Sequence, residues 1–280
     1  MNYVKTILLL LGLSLILIWA GSLLGGAKGA VLAFVFSLVL NGVTYWFSDK
    51  IVLAMYRAKE LSRQEFPRIY DIVEKLSVKA GIPCPKVYMA EAAAPNAFAT
   101  GRDPKHAALC LTSGIMNMLD EEELSGVISH ELAHIRNHDT LIMTIAAAMA
   151  SAIMMLANMA RWAAFSGGTS RGKRDSSLNA IAFLVIGILA PLAAMLVQLA
   201  ISRSREYAAD ATGAKVSGRP LDLARALEDM TKVSKTYRLE ASPQTAHLFI
   251  VNPLSGNFLA NMFSTHPPIQ ERVKRLKAMA

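Results

Sequence analysis

The sequence predicts an α+β fold that is mostly helical, in an integral membrane protein with four hydrophobic helices and a small antiparallel sheet in its polar part. Hydrophobic residues make up 53% of the 280 residues, charged residues make up 18%, and the mean hydropathy is +0.36. Soluble domains typically contain about 25% charged residues. Apolar stretches occur in two pairs, and short strand-like segments lie between the pairs.

Four uncharged apolar stretches are long enough to cross a bilayer as helices: 7–24, 30–47, 141–160 and 178–201. Gly25, Gly26 and Lys28 separate the first two stretches, which predicts a helical hairpin. A cleaved signal peptide is the competing interpretation of the first stretch. Five basic residues follow the second stretch: Lys50, Arg57, Lys59, Arg63 and Arg68. By the positive-inside rule they place the next segment in the cytoplasm, although a basic loop between the last two stretches counts against this topology.

The apolar pairs divide the chain into four predicted segments, two transmembrane hairpins that alternate with two parts of one polar domain: 1–47, 48–140, 141–201 and 202–280. Within the first polar part, three short segments bounded by turn residues predict the antiparallel sheet: 86–90, 97–101 and 107–112. One edge of this sheet could hold an extended peptide by main-chain hydrogen bonds, or the strands could only cover the core. The sequence leaves both possibilities open.

The most specific motif is the H-E-x-x-H run that begins at His130. Residues four apart on a helix share a face, so the imidazoles of His130 and His134 can reach one metal ion. Glu131 would then take a proton from a water at the metal instead of binding the metal itself. Asp120 and Glu123 resemble a capping box, which predicts that a helix begins here. The alternative is a pair of solvated histidines on a helix surface.

A hydrolytic zinc site needs a third protein ligand and one open position for water. Glu206 is the candidate, because a carboxylate is the usual partner of two histidines in such sites. Asp210 follows one helical turn later, where it can accept the other ring N–H of a ligating histidine. In the absence of the H-E-x-x-H run, these two residues would indicate a solvated helix end. His138 is excluded as a ligand, because it lies about 12 Å along the helix from His130.

Composition and motifs exclude several function classes. The formal net charge is +8, but no nucleic-acid motif accompanies it, and basic residues that flank membrane spans account for it. Residues 167–174 resemble a phosphate-binding loop, but Arg174 replaces the Ser or Thr that magnesium requires. We therefore expect neither nucleic acid nor nucleotide as a partner. Cys84 and Cys110 form no C-x-x-C pair, and we expect reduced, packed thiols.

In these motifs and in the order of its apolar stretches, the chain resembles the HtpX family of membrane metalloproteases, which is related more distantly to the CAAX prenyl proteases. The resemblance covers nearly the whole length. Four motifs carry it: N-A-F at 96–98, H-E-L-A-H at 130–134, S-R-x-x-E-Y-x-A-D at 202–210 and S-T-H-P-P at 264–268.

The resemblance implies a zincin-like catalytic domain that holds one Zn²⁺ per chain through His130, His134 and Glu206. It implies that Glu131 is the catalytic base and that Asp210 supports one of the metal ligands. This set agrees with the set that the spacing of the residues suggests.

The resemblance also implies an active-site role for His266, where it would stabilise the oxyanion or help to bind the substrate. Asn96 and Phe98 are predicted substrate-binding residues. The implied location is the bacterial inner membrane, with several spans and a cytoplasmic catalytic domain.

The function predicted from the sequence is a zinc-dependent endopeptidase that cleaves misfolded or damaged membrane proteins at the cytoplasmic face, as part of membrane protein quality control and the stress response. Its partners would be polypeptide substrates and the lipid bilayer. Two alternatives remain, a prenyl-protein processing peptidase and a non-enzymatic transporter or scaffold with a structural metal site. A structural site closes all four metal positions with protein ligands, and the sequence offers only three good ones.

Overall fold

The structure is a computed structural model that describes residues 2–149, 203–236, 250 and 267–280. The fourth apolar stretch and the second half of the third lie outside the described residues. The described helices and strands are, in order, α1 Asn2–Met55, β1 Lys59–Glu60, α2 Pro67–Ala80, β2 Lys86–Ala90, β3 Ala97–Gly101, β4 Ala107–Thr112, α3 Ser113–Met118, α4 Glu121–Arg136, α5 Thr140–Met149, α6 Arg203–Ser217, α7 Pro220–Thr236 and α8 Ile269–Lys277.

Helix α1 is bent into a hairpin between the first two apolar stretches, as the sequence predicts. Helical geometry breaks at Gly25 and Gly26, and Gly26 has a φ of 59°, which glycine adopts at little steric cost. The two arms contact each other: the side-chain amide of Asn41 on the second arm donates a hydrogen bond to the hydroxyl of Ser14 on the first at 2.8 Å.

The second arm of the hairpin, Gly25–Met55, has 31 residues and a mean hydropathy of 1.8. Within the described part of the chain it is the one helix that is long and apolar enough to cross a membrane, whereas Thr6–Trp19 and Thr140–Met149 are shorter apolar helices. Large apolar side chains such as that of Leu32 are exposed along it, which suits a lipid environment. One of the four predicted spans is thus present at full length, and the complete set remains a prediction.

The sheet contains the three predicted strands at the predicted positions as β2, β3 and β4, and β1 adds a short fourth strand. The prediction of a purely antiparallel sheet is wrong for one pair. Strands β2 and β4 run parallel, with Lys86 opposite Ala108, whereas β1–β2 and β3–β4 are antiparallel. The strand order is β1-β2-β4-β3, so β2 and β3 are not neighbours. The last strand, β4, lies between them and runs in the same direction as β2.

The sheet is covered on both faces. Ala107, Leu109 and Leu111 of β4 point into the main core, which also contains apolar residues of α2, α4, α6, α7 and α8. Cys110 and its neighbours point to the other side, where they pack against the end of α1 and against α5. The sheet therefore lies between the helical core and the apolar helices, which explains why all residues of β3 and β4 are buried.

Helix α4 lies at the centre of this core. Its start has the predicted capping box: the carboxylate of Asp120 accepts a hydrogen bond from the backbone N–H of Glu123 at 2.8 Å, and the carboxylate of Glu123 accepts one from the N–H of Asp120 at 3.3 Å. Gly126 allows α7 to approach, since a Cβ there would lie 2.7 Å from the backbone nitrogen of Leu223. Because α4 is buried on nearly every side, its polar side chains must be satisfied inside the protein.

Candidate metal centre

The structure brings together the three residues that the sequence predicts as metal ligands. His130 and His134 lie on successive turns of α4, and Glu206 lies in the first turn of α6; all three are buried. One potential ligand atom from each residue lies within 4.8 Å of the others. Nε2 of His130 is 3.7 Å from one carboxylate oxygen of Glu206, and Nε2 of His134 is 3.6 Å from the other. Both imidazoles thus present the same ring nitrogen to one carboxylate.

Asp210 lies behind His130, as the sequence predicts. Its Oδ1 is 3.0 Å from Nδ1 of His130. An ionised carboxylate only accepts hydrogen bonds, so Nδ1 carries the proton of the neutral ring and Nε2 keeps its lone pair for a metal. Burial alone would raise the pKa of Asp210, but the positive charge of Arg272 and the contact with His130 outweigh it and lower the pKa to about 2.

His134 has a corresponding carboxylate that the sequence analysis missed. Oδ2 of Asp139 lies 3.3 Å from Nδ1 of His134, and both side chains are buried. Burial would lower the pKa of His134, but in the metal-free protein Asp139, Glu206 and Glu131 outweigh it and raise the pKa to about 9. The available signal was an acidic residue three positions after the end of the metal helix.

The side chain of Glu131 reaches the sheet. Its Oε2 accepts a hydrogen bond from the backbone N–H of Ala99 on strand β3 at 2.8 Å. Burial raises the pKa of Glu131, although His130, His134 and the Ala99 N–H act in the opposite direction. A carboxyl group with an elevated pKa suits proton transfer near neutral pH.

Arg272 is the second functional residue that sequence analysis missed. Arginine side chains are rarely fully buried, but that of Arg272 has no exposed surface. Its guanidinium donates two hydrogen bonds to Asp210, at 2.8 and 2.7 Å, and its Nη1 lies 3.7 Å from Glu206. The available signal was its position on the apolar face of α8, one turn before the buried Leu276.

The charges of the site fit a divalent cation. Four carboxylates and two guanidinium groups of described residues surround the two histidines: Glu131, Asp139, Glu206, Asp210, Arg205 and Arg272. Metal binding requires neutral histidines. In that form, with the four carboxylates ionised, this group carries two excess negative charges in a buried location. Buried charge is costly unless it is balanced, and an ion with two positive charges balances it. Two imidazoles and a carboxylate are also the donor set of His₂Glu zinc sites.

The remaining predicted site residues fall in different places. Asn96 is buried, and its side-chain oxygen accepts a hydrogen bond from the N–H of Ile250 at 3.1 Å. Phe98 is buried against Tyr56, with ring centroids 4.7 Å apart. His266 lies outside the described residues. The substrate-binding roles of Asn96 and Phe98 stay predictions.

Three other residues lie outside the cluster of potential metal ligands that the described residues form. His138 is exposed and lies outside the ligand cluster. Cys84 and Cys110 are free thiols. Cys110 is buried as expected, but the expectation of a packed thiol is wrong for Cys84, which is exposed. Burial raises the pKa of Cys110 to about 12, so this thiol stays protonated and unreactive.

Gly213 allows α6 to approach α4 beside the first histidine, since a Cβ at this position would lie 2.9 Å from the backbone nitrogen of His130. We expect Gly213→Ala to destabilise the fold by about 1–3 kcal/mol, because the added atom meets backbone that cannot rotate away. Thermal unfolding of the protein in detergent measures this. Gly42→Ala is the control, because a Cβ there has no neighbour within 4 Å. Equal melting temperatures for the two variants would contradict the close packing.

The chain is similar to known proteases over most of its length. Residues 63–280 match the model of peptidase family M48. The chain is 54% identical over 277 residues to a protease HtpX homolog of Syntrophobacter fumaroxidans, with 98% of each chain covered. It is 53% identical over 280 residues to a protease HtpX homolog of Thermodesulfovibrio yellowstonii, which covers 100% of this chain and 99% of the relative.

A solved structure has a similar fold. The crystal structure of Ste24p from S. mikatae matches 95% of this chain with a TM-score of 0.53 and 20% sequence identity. The chain spans 62% of the length of that protein. At this level of identity the similarity concerns the fold.

Proposed function

The chain belongs to peptidase family M48 and is a membrane metalloprotease, and on this premise we propose that it is a zinc-dependent endopeptidase that cleaves misfolded or damaged membrane proteins. Its full-length similarity to HtpX proteases confirms the resemblance that the sequence motifs suggest. The observation that carries the proposal is the convergence of His130, His134 and Glu206 from two separate helices, with ligand atoms within 4.8 Å of one another.

In the proposed site, His130, His134 and Glu206 hold one zinc ion. A zinc ion supplies Lewis acidity there, which polarises a carbonyl group and lowers the pKa of a water towards about 7. Asp210 and Asp139 hold the Nδ1–H groups of the two histidines, so that each ring keeps one orientation and one tautomer.

Glu131 is the proposed general base and then the general acid. It takes the proton of the water that attacks the peptide carbonyl, and it returns this proton to the nitrogen of the leaving amine. The N–H of Ala99 fixes the carboxylate beside strand β3. We further propose that His266 donates a hydrogen bond to the developing oxyanion, as the S-T-H-P-P motif suggests.

Strand β3 is the proposed binding edge for the substrate. It lies at the edge of the sheet, and its backbone already reaches the side chain of Glu131. An extended peptide beside β3 would therefore lie next to the catalytic base. Asn96 and Phe98, at the start of this strand, are the proposed substrate-binding residues.

The proposed location is the bacterial inner membrane, with four spans and a cytoplasmic catalytic domain formed by residues 48–140 and 202–280. Two contacts support a site close to the membrane. Asp139 lies next to His134 in space, and the apolar helix α5 begins at the next residue. Leu141 and Ile142 of α5 pack in one cluster with Leu13 of the N-terminal hairpin. A site in this position suits substrates that are membrane proteins.

The family membership disfavours the non-enzymatic alternative, a transporter or scaffold with a structural metal. The likeness to Ste24p shows a common fold and gives no specific reason to propose prenyl-protein processing. Comparing the cleavage rates of a prenylated and an unprenylated peptide of the same sequence would distinguish prenyl-protein processing from general endopeptidase activity.

The direct test of the proposed function is casein cleavage by the full chain in detergent. We expect cleavage that stops when 1,10-phenanthroline removes the metal and returns when Zn²⁺ is added. Casein stands in for an unfolded polypeptide, since an endopeptidase of broad specificity cleaves accessible extended chains. Cleavage that continues at full rate in excess chelator would contradict a metal-dependent mechanism.

A further inference from the structure

The carboxylate of Asp139 lies between a predicted metal ligand and an arginine of another helix. Its Oδ2 is 3.3 Å from Nδ1 of His134, and its Oδ1 is 3.7 Å from Nε of Arg205. Both partners are largely removed from solvent, with side-chain exposures of 4% for Asp139 and 12% for Arg205. At 3.7 Å the second contact is an ion pair rather than a hydrogen bond.

The end of α4 is shaped to bring Asp139 to this position. His138 has a φ of 57°, a left-handed conformation that non-glycine residues rarely adopt. The reversal allows the backbone N–H of Asp139 to donate to the carbonyl of His134 at 2.9 Å. Asp139 therefore contacts the same histidine through its backbone and through its side chain. Unfavourable backbone conformations persist where the surrounding structure fixes them, and they are concentrated at functional sites.

The ion pair between Asp139 and Arg205 also affects Glu206, because Arg205 directly precedes Glu206 in the first turn of α6. A fixed Arg205 side chain holds this turn against the end of α4. Asp210 and Arg272 have a similar arrangement on the other side of the site: a histidine Nδ1, a buried aspartate and an arginine, which there is fully buried and hydrogen-bonded to the aspartate. Each imidazole is thus supported by its own carboxylate and guanidinium.

We propose that Asp139 and Arg205 are a pair of positioning residues that orients His134 and aligns Glu206 for metal binding. This inference rests on the proposed function, because it assigns the pair to the same metal centre. Asp139 holds the N–H of Nδ1 and leaves Nε2 directed at the metal position. Arg205 holds Asp139 and links the two helices that supply the ligands.

A purely structural role must be separated from this one, because Asp139 also precedes the first residue of α5. Its carbonyl accepts from the N–H of Met143 at 3.3 Å, which is the position of a helix N-cap. Asp, Asn and Ser are all good N-cap residues. Asp139→Asn and Asp139→Ser therefore both keep the cap. The first removes the charge that Arg205 faces, and the second also makes the side chain too short to reach His134.

The test measures the dissociation constant of Zn²⁺ for the full chain in detergent, by competition with a chromophoric chelator. Loss of a group that supports a metal ligand typically weakens metal binding by about 10–100-fold. We expect a weakening in this range for Asp139→Asn, Asp139→Ser and Arg205→Gln, with the largest effect for Ser. Arg205→Lys keeps the charge, and its affinity should lie between those of the wild type and Arg205→Gln.

The matched controls are Asp229→Asn and Arg225→Gln, which alter ion pairs on α7 outside the metal centre and should leave the affinity unchanged. The visible spectrum of the Co²⁺-loaded protein should change in Asp139→Ser, because the ring of His134 is no longer held. Combining Asp139→Asn with Arg205→Gln should weaken binding less than the two single effects together, since residues that act as a unit are not additive.

Wild-type affinity in both Asp139 variants would overturn the proposal and leave only the cap. Wild-type affinity in Arg205→Gln beside weak binding in Asp139→Asn would overturn the role of Arg205. If Asp139→Ser shows no cooperative thermal unfolding, and so does not fold, Asp139→Asn and the two Arg205 variants decide the outcome. A wild-type chain that binds no Zn²⁺ would instead overturn the proposed function itself, and this result is visible before any variant is made.

Discussion

Glu131→Gln is expected to lower kcat/KM for casein by about 10²–10⁴-fold, the usual contribution of a general base, while zinc content stays at one ion per chain. Glutamine has nearly the shape of glutamate and can still accept the hydrogen bond from the N–H of Ala99, which is 2.8 Å away in the wild type. The amide cannot take a proton from water, so we expect the rate of the chemical step to fall while the stability of the fold is unchanged.

Glu122→Gln is the matched control, because Glu122 lies on the same helix but is exposed in its first turn. Its kcat/KM should equal that of the wild type. An undiminished rate for Glu131→Gln would show that another group accepts the proton. A loss of zinc in this variant would show that Glu131 belongs to the ligand set.

Glu206→Ala is expected to abolish zinc binding. The side chain is 3% exposed and faces Nε2 of both histidines, so its removal takes away one of three protein ligands. The loss of affinity should exceed the roughly 10–100-fold that loss of an outer hydrogen-bond partner causes. Activity should fall with the metal content, and excess Zn²⁺ should not restore it fully.

Glu228→Gln serves as its control, because Glu228 is an exposed residue that pairs with Lys277. Zinc binding by this variant should match the wild type. Stoichiometric zinc in Glu206→Ala would mean that a different residue completes the site.

The sequence predicted the parts of the site that depend on local spacing. His130 and His134 lie on adjacent turns because they are four residues apart in a helix whose capping residues are also local. Glu206 and Asp210 lie on one face of α6 for the same reason. The contact between these faces of α4 and α6 does not follow from spacing. It is predicted from chemistry, because a hydrolytic zinc site requires a third protein ligand.

Features that depend on contacts between distant segments do not follow from local sequence patterns. Arg272 looks like a solvated cation until α8 is packed against α6, which buries it on Asp210. Asp139 depends on the left-handed conformation of His138, which local preferences disfavour. The parallel pairing of β2 and β4 follows from the order in which strands fill the sheet. Strand patterns reveal where strands occur, but they do not reveal which strands become neighbours.

The central claim is that His130, His134 and Glu206 form one zinc site, and that Glu131 lies next to this site but is not a zinc ligand. Metal analysis of the wild type, Glu131→Gln and Glu206→Ala, purified as full chains and dialysed against the same Zn²⁺ buffer, tests it most directly. We predict one zinc per chain in the first two proteins and none in the third. Full zinc in Glu206→Ala, or no zinc in the wild type, would contradict the claim.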